Sequence, residues 1–274
     1  MTPGPAAAAR HRRLADLVVG APPSPAETAG APGGPPGSGG SRARLTRLCS
    51  LAVAELGVDG AGVTVLAGSP ARDGTRTQLG TVGDLTARLD ELQLTTGEGP
   101  CLEAHETGVP VLVPDLGAER GRWLGFTAEA LAIGACALFS FPLQVGAARL
   151  GTLDLNRRAP GSLSADRLAD GLALAALATE LLLALVETAS DPSDGGPDGQ
   201  PGVGWLPDVH AEVHVASGMV AAYTGTDVRD ALLQLRSYAF RTGVPLHEVA
   251  RRVIDRDLVL DPPDQTSRPE NGAP

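Results

Sequence analysis

The 274 residues are enough for one large domain or two modest ones, and 43% hydrophobic with 20% charged residues is typical of a globular protein. All 22 basic residues are arginines and the formal net charge is −10. This charge argues against a general binder of nucleic acid, because affinity for phosphate grows with the number of neutralising cations. Three cysteines without CxxC spacing and the lack of a signal-peptide pattern predict reduced thiols in a cytoplasmic protein.

Two stretches divide the chain, because both are too poor in large apolar side chains to offset the entropy lost on ordering. Residues 20–41 are almost wholly Gly, Pro, Ala, Ser and Thr, and residues 190–204 add acidic charge to a similar composition. The sequence therefore predicts five parts: a disordered leader (1–41), a larger domain (42–188), a flexible linker (189–205), a smaller domain (206–260) and a disordered tail (261–274).

Apolar spacing predicts the elements of the larger domain in chain order. A helical pattern runs from Arg42 to about Leu56, with one continuous apolar face. The segments that follow predict two strands, a short helix and a later pair of strands joined as a hairpin: 61–67, 75–82, 85–92, 135–142 and 149–156. This mixture predicts an α+β fold built on an antiparallel sheet.

A long helix from Ser164 to about Glu187 closes the larger domain. Its apolar run, 171–186, is interrupted by Glu180 and is shorter than the ~20 residues of a bilayer span, so we expect a buried helix and no membrane segment. The high Leu and Ala content also predicts a second buried face, for which a parallel helix pair in a homodimer is the natural partner. The residues that step with heptad spacing are Leu168, Leu172, Ala175, Thr179, Leu182 and Val186.

The most specific motif of the larger domain is Gly97-Glu98-Gly99-Pro100-Cys101. It is followed by Glu103-Ala104, Gly108, Val111, Val113, Asp115 and Leu116, and later by 141–143 and 151–155. On these residues, the segment 42–187 resembles the GAF domains of sensor proteins from high-GC bacteria. The two glycines permit a tight or left-handed backbone, Pro100 suits the first turn of a helix, and Val111–Val113 is expected to be an inner strand. The resemblance implies a sensory or regulatory role, with a small-molecule ligand or signalling partner that it does not identify and a cofactor that stays unknown.

Cys101 and His105 have the one-turn spacing of a metal pair on a helix, and Cys101 is also a candidate redox thiol. Two ligands do not make a structural metal site, so a small buried cysteine beside a solvent-facing histidine is the preferred interpretation and no metal is predicted. The chain has no GxxxxGK[ST], GxSxG or HExxH motif and few histidines, so no enzymatic activity is expected.

Three short amphipathic helices are predicted between Asp208 and about Leu258. The first stops at Gly225, Asp227 caps the second, and Pro245 suits the first turn of the third. None of these helices would be stable alone, so we expect them to pack together.

Small and apolar residues recur at fixed distances across these helices, together with a Leu-Arg pair. They are Ala216, Gly218, Met219, Gly225, Ala231, Leu235, Arg236, Ala239, Leu246, Val249, Ala250 and Ile254. Residues 214–254 are thereby similar to the ANTAR domain, an RNA-binding module of bacterial antitermination regulators. The resemblance implies small residues at helix crossings and recognition of paired RNA hairpins, whose unstacked loop bases are read individually. Its fold positions fall on Ala216, Gly218, Ala231, Leu235, Ala239 and Ala250.

The same resemblance implies side chains that contact RNA. The candidates are four cations with a stacking and a polar partner, namely Arg236, Arg241, Arg251, Arg252, Tyr238 and Ser217. Two departures count against RNA: residues 206–260 carry six arginines against seven acidic residues, and Ser217 stands where many ANTAR domains have a lysine. Two linked units would strengthen a weak single-hairpin contact, so a homodimer is part of the hypothesis.

The sequence therefore predicts a signal-responsive GAF and ANTAR regulator that binds RNA hairpin loops in transcription antitermination. The alternative is a small-molecule sensing or protein-interaction module whose C-terminal helices have lost their RNA affinity, which the acidic balance favours. A DNA-binding helix-turn-helix is the third interpretation. It requires a basic recognition helix, which Arg251, Arg252 and Arg256 only approach.

Overall fold

A computed structural model describes residues 4–20, 38–67, 75–189 and 211–260. They belong to two compact units, one within Met1–His210 and the other within Ala211–Pro274. The helices of the larger unit are α1 (Pro5–Gly20), α2 (Ser38–Leu56), α3 (Asp84–Thr96), α4 (Pro100–Thr107), α5 (Thr127–Ala132) and α6 (Ala165–Ala189), with a 3-10 turn at Leu116–Glu119. Its strands are β1 (Gly60–Ala67), β2 (Thr75–Val82), β3 (Val111–Val113), β4 (Ala137–Val145) and β5 (Ala148–Arg157).

A five-stranded antiparallel sheet in the order β2-β1-β5-β4-β3 forms the centre of the larger unit. The strands expected over 61–67, 75–82, 135–142 and 149–156 are all present, which confirms the α+β class. The expectation for Val111–Val113 was wrong in one respect. This strand lies at the edge of the sheet, because it pairs with β4 alone among the described strands.

Alternation along the strands gives the sheet two chemically different faces. Successive side chains of a strand point to opposite sides. On β5, Leu153 and Leu155 pack in the main apolar core with residues of α2 and α6. Thr152, Asp154 and Asn156 alternate with them along the strand, so their side chains point to the opposite face of the sheet. The second face is covered by α3 and α4, so polar side chains are enclosed between these helices and the sheet.

α6 packs on the sheet of its own unit, as the sequence predicts. Ala175, Thr179 and Leu182 of the heptad series are buried there, while Leu172 is 48% exposed. The segment Ala165–Leu185 has a mean hydropathy of 1.8 and is long and apolar enough to cross a membrane by composition alone, a test that core helices of soluble proteins also pass.

α1 corrects the prediction that residues 1–41 form a disordered leader. Leu14 and Val18, one turn apart, are fully buried against the core that α2 and α6 share. Arg10 forms an ion pair with Asp170 at 2.8 Å, which ties α1 to α6. The prediction is wrong because the Gly- and Pro-rich composition that indicates disorder is confined to residues 20–41. The residues before it have high helix propensity. Residues 21–37 lie outside the described part of the chain.

The smaller unit consists of α7 (Ala211–Thr224), α8 (Val228–Thr242) and α9 (Leu246–Ile254) among its described residues. Gly225 follows α7 with φ 69°, and the Asp227 carboxylate caps α8 by accepting from the Asp230 amide at 2.8 Å. Gly218 differs from expectation. It is exposed, with no atom within 4 Å of where a Cβ would stand, so no described helix crosses there. The other five fold positions are buried: Ala216, Ala231, Leu235, Ala239 and Ala250.

We expect Leu14→Ala to lower the free energy of unfolding of the larger unit by about 2–5 kcal/mol, because it empties a filled site in the core. Leu17→Ala is the matched control, since Leu17 lies on the same helix but is 45% exposed; its effect should stay within about 0.5 kcal/mol. Urea unfolding of the full chain measures both. Equal effects of the two variants would show that α1 does not pack on the core.

Candidate functional site

Buried polar side chains gather between the sheet and α3. Arg76 on β2 directs Nε and Nη2 at one carboxylate oxygen of Asp90 on α3, with the Nε–Oδ1 distance at 2.9 Å. The Thr64 hydroxyl donates to the same oxygen at 3.2 Å. Burial works to lower the pKa of the Arg76 guanidinium, but the attraction and hydrogen bond of Asp90 together with the charges of other nearby groups, Asp154 among them, raise it. The guanidinium therefore stays charged, and both of its contacting nitrogens are committed to Asp90.

Asp154 on β5 is the second carboxylate of this cluster. It accepts hydrogen bonds from the Ser140 hydroxyl at 2.6 Å and from the Thr152 hydroxyl at 2.8 Å. Burial raises the pKa of Asp154 to about 6, although both hydroxyls and the charge of Arg76 act in the opposite direction. Above that pH, the three charged groups of the cluster are two carboxylates and one guanidinium.

Asn156 lies two residues further along β5 on the same face. Its Nδ2 donates to the Thr86 hydroxyl at 2.8 Å, but its Oδ1 has no hydrogen-bond partner, although the residue is only 2% exposed. Gly60 leaves room for this arrangement, because a Cβ there would stand 2.8 Å from the Asn156 amide nitrogen. An unpaired buried acceptor is costly, so Oδ1 marks a position where a hydrogen-bond donor would be favourable.

Most of these side chains, Arg76 and Thr152 excepted, line a cavity of about 20 Å³. About 10–15 Å³ on this measure holds one water, so the space fits one group of that size. One wall is apolar and consists of Leu89, Pro100, Phe126, Leu138 and Leu155. The rest of the wall is formed by Gly62, Thr64, Gln78, Thr86, Asp90, Gln93, Ser140, Asp154 and Asn156.

The motif Gly97 to Cys101 shapes the α3 side of the cavity. Gly97 ends α3 with φ 71°, and Gly99 has φ 139° and ψ 175°, a conformation that is essentially restricted to glycine. Between them they turn the chain so that the backbone amide of Cys101 donates to Gln93 Oε1 at 2.9 Å. Pro100, which begins α4, is thereby held against the cavity. Both glycines have the positive φ that the sequence predicts for them.

Glu98 has a role that sequence reasoning missed. Its carboxylate accepts from the backbone amides of Gly125 and Phe126, the latter at 3.2 Å, and Phe126 lines the cavity. Arg122 in the same segment binds Glu103 of α4. The segment that contains Phe126 is therefore held by two carboxylates, that of Glu98 in the motif and that of Glu103 on α4. No local signal reveals this, because the partners of Glu98 lie 27 and 28 residues away.

Cys101 and His105 lie one turn apart on α4. Cys101 is enclosed by Leu66 and Leu102, and burial raises the pKa of its thiol. His105 is buried instead of facing solvent as expected, and burial lowers its pKa. Within the described part of the chain, no three His, Cys, Asp or Glu side chains are placed to hold a metal ion.

The residues predicted to contact RNA are spread over the smaller unit. On α8, Arg241 is exposed and its guanidinium carbon lies 5.6 Å from the ring centre of Tyr238. Arg236 precedes Arg241 by five positions, about 140° around a helix, so the two side chains leave α8 in different directions. The structure therefore joins Tyr238 with Arg241 but separates Arg236 from them.

Arg251 and Arg252 lie on α9. Arg251 is exposed and forms an ion pair with Glu212 of α7 at 3.0 Å, which offsets its charge, whereas Arg252 is half-buried. Ser217 requires a correction. It is 1% exposed and its hydroxyl donates to the Val213 carbonyl at 2.7 Å, so it lies inside the helix packing and offers no polar group to RNA.

Solved structures to which this chain is similar include two described as GAF domains, the family that residues 42–187 resemble. The GAF domain of an Acinetobacter phosphoenolpyruvate-protein phosphotransferase has 11% identity and a TM-score of 0.45, covering 72% of this chain and 100% of that one. The GAF domain of a Coxiella burnetii phosphoenolpyruvate-protein phosphotransferase has 14% identity and a TM-score of 0.45, covering 68% and 97%. The type II free methionine-R-sulfoxide reductase of Thermoplasma acidophilum has 16% identity and a TM-score of 0.40, covering 53% and 94%.

At TM-scores below 0.5, these likenesses assign this chain neither a family nor a function. No protein-family model matches the sequence, and no curated protein matches it either.

We expect Gly99→Ala to destabilise the larger unit by about 1–3 kcal/mol, because alanine is strained at this φ and ψ. Its Cβ would also stand 2.6 Å from Gln93 Oε1. Gly121→Ala is the matched control, since a Cβ there meets no atom within 4 Å. Thermal unfolding of the full chain measures both variants. A Gly99→Ala protein as stable as Gly121→Ala would contradict the described backbone.

Asp154 should make stability depend on pH in a defined direction. Its pKa is about 6 in the folded chain against 3.8 for an ordinary carboxyl, so the folded state binds the proton more tightly. The stabilisation that this bound proton gives the folded state is fully present below pH ~4, and it is lost as the pH rises through 6. Relative to wild type, Asp154→Asn should therefore gain up to about 3 kcal/mol between pH 4 and pH 7. Urea unfolding over this pH range measures the difference, with Asp16→Asn, a substitution at an exposed position, as the control. Parallel plots of unfolding free energy against pH for wild type and Asp154→Asn would refute the raised pKa of Asp154.

Proposed function

We propose that this chain is a signal-responsive regulator whose larger unit is a GAF-type sensor that binds a small molecule in the cavity between the sheet and α3. The observation that carries this proposal is the unpaired, buried Asn156 Oδ1 in the wall of a small cavity that Asp154 also lines. Polar groups enclosed without partners reduce stability, and a bound molecule that pairs with them recovers that loss. The GAF resemblance of the sequence supports the same role.

The sensor role is preferred over catalysis. Cys101 is the strongest nucleophile candidate near the cavity, but reactive cysteines have a lowered thiol pKa and some exposure. Cys101 is buried and the pKa of its thiol is raised. A thiol that stays protonated suits packing better than attack on a substrate.

The proposed output is RNA binding by the smaller unit, in transcription antitermination in the cytoplasm, with two copies of the chain engaging two hairpins. Its support is the ANTAR resemblance of residues 214–254 and the exposed Arg241 beside Tyr238. An aromatic ring with an adjacent cation suits an unstacked loop base next to its phosphate. Arg251 and Arg252 would add phosphate contacts.

A second candidate output is protein docking without RNA affinity. The ion pair of Arg251 with Glu212 and the surplus of acidic residues weaken any attraction to phosphate. In addition, Tyr223, Leu233 and Phe240 are more than half exposed on α7 and α8, as is typical of surfaces that bind another protein.

The two outputs are separated by binding of the full chain to a two-hairpin RNA and to the same RNA with scrambled loops. If RNA is the partner, Arg241→Ala should weaken binding of the first RNA by about 1–3 kcal/mol. Arg229→Ala is the matched control, since it removes the same charge from an exposed position on α8, and it should have a smaller effect. Fluorescence anisotropy over a salt series measures all three proteins. Equal binding of both RNAs, or equal effects of the two variants, would remove the RNA proposal in favour of docking.

A further inference from the structure

We propose that the cavity of the larger unit takes one ammonium group, either as the free ion or as the head group of a small primary amine. This inference rests on the proposed sensor function and names its ligand class. It follows from three properties of the cavity wall: its charge, its hydrogen-bonding groups and its size.

The cluster carries one unbalanced negative charge when Asp154 is ionised, because two carboxylates face one guanidinium. Arg76 commits Nε and Nη2 to Asp90 and so neutralises that carboxylate. Asp154 receives only hydroxyl donors from Ser140 and Thr152, with the charge of Arg76 acting on it from a greater separation. The thiols of Cys49 and Cys101, which also interact with Asp154, are neutral because burial raises their pKa. A half-buried carboxylate without a cation at hydrogen-bond distance favours a cation beside it.

Among the buried polar atoms that line the cavity, the one without a partner is an acceptor, whereas the unpaired buried donor Arg76 Nη1 belongs to a residue outside the cavity wall. Asn156 Oδ1 is a buried acceptor without a partner, and the Asp154 carboxylate has lone pairs beyond the two that its hydroxyl partners use. An ammonium group brings only donors, and it matches both groups at once. An anion would face two carboxylates, and a neutral amide would leave the charge of Asp154 unbalanced.

The size of the cavity selects a small ligand. Its 20 Å³ accommodate one group about the size of a water molecule, which is also the size of an ammonium ion. Because the cavity is partly open, a methyl group on the ammonium need not fit inside these 20 Å³, and Leu89, Phe126 and Leu138 supply apolar surface for it to contact. A divalent metal ion is disfavoured, because the described residues supply no trio of metal-binding side chains around it.

The test uses the full chain at pH 7.5, where Asp154 is ionised, and follows thermal unfolding and isothermal titration. The probes are ammonium chloride and methylammonium chloride, compared with sodium chloride, tetramethylammonium chloride, sodium formate and acetamide at matched ionic strength. We expect a saturable rise of Tm with ammonium and methylammonium and none with sodium or tetramethylammonium. Asp154→Asn should raise the dissociation constant for ammonium by about tenfold or more, because it removes a charged hydrogen-bond partner. The control Asp16→Asn should leave this constant unchanged.

The outcomes distinguish the ligand class from the sensor function itself. Saturable binding of formate or acetamide without binding of ammonium would overturn the ammonium assignment and leave the sensor function standing. Ammonium binding that is unchanged in Asp154→Asn would place the ion elsewhere and also overturn the inference. No saturable response to any probe would overturn the ammonium assignment and remove the support for a sensor cavity of this size.

Discussion

The structure of the larger unit depends on one constraint, the alternation of side chains across a sheet that is covered on both faces. Leu153 and Leu155 bury the apolar face of β5 against α2 and α6, and this burial stabilises the sheet. The intervening residues must then point to the other face, which α3 and α4 cover. Because Thr152, Asp154 and Asn156 are polar, that second layer cannot be a purely apolar core.

The polar layer is stabilised only in part by its internal contacts. The Arg76–Asp90 pair joins β2 to α3, and Ser140 and Thr152 donate to Asp154. These contacts leave one negative charge and one amide oxygen unmatched around a small space. Local violations of good packing are expected where a protein binds something, since function and stability place different demands on the same residues. The sensor proposal and its ammonium ligand both follow from this mismatch.

Several elements were predictable because their signals are local. Period-2 alternation located β1, β2, β4 and β5, and glycines at positive φ located the turns of the Gly97–Cys101 motif and the ends of the C-terminal helices. Composition is misleading where one stretch of the chain contains both a short helix and a Gly- and Pro-rich segment. The apolar face of α1, with Leu14 and Val18 a turn apart, was obscured by the Gly- and Pro-rich residues after it. Ser217 was misplaced for a related reason, because a small polar residue in a helix fits the surface and the interior equally well.

The sequence by itself determined the fold class, the main helices and strands, and the apolar face of each, because these follow from residue spacing along a few turns or strand repeats. Only the tertiary structure decided which polar residues share a site. Arg76, Asp90 and Asp154 come from separate elements, and Glu98 reaches amides 27 and 28 residues away. The charge balance and the size of a cavity are sums over side chains that meet only when the strands pair and the helices close over them, and no local pattern encodes such a sum.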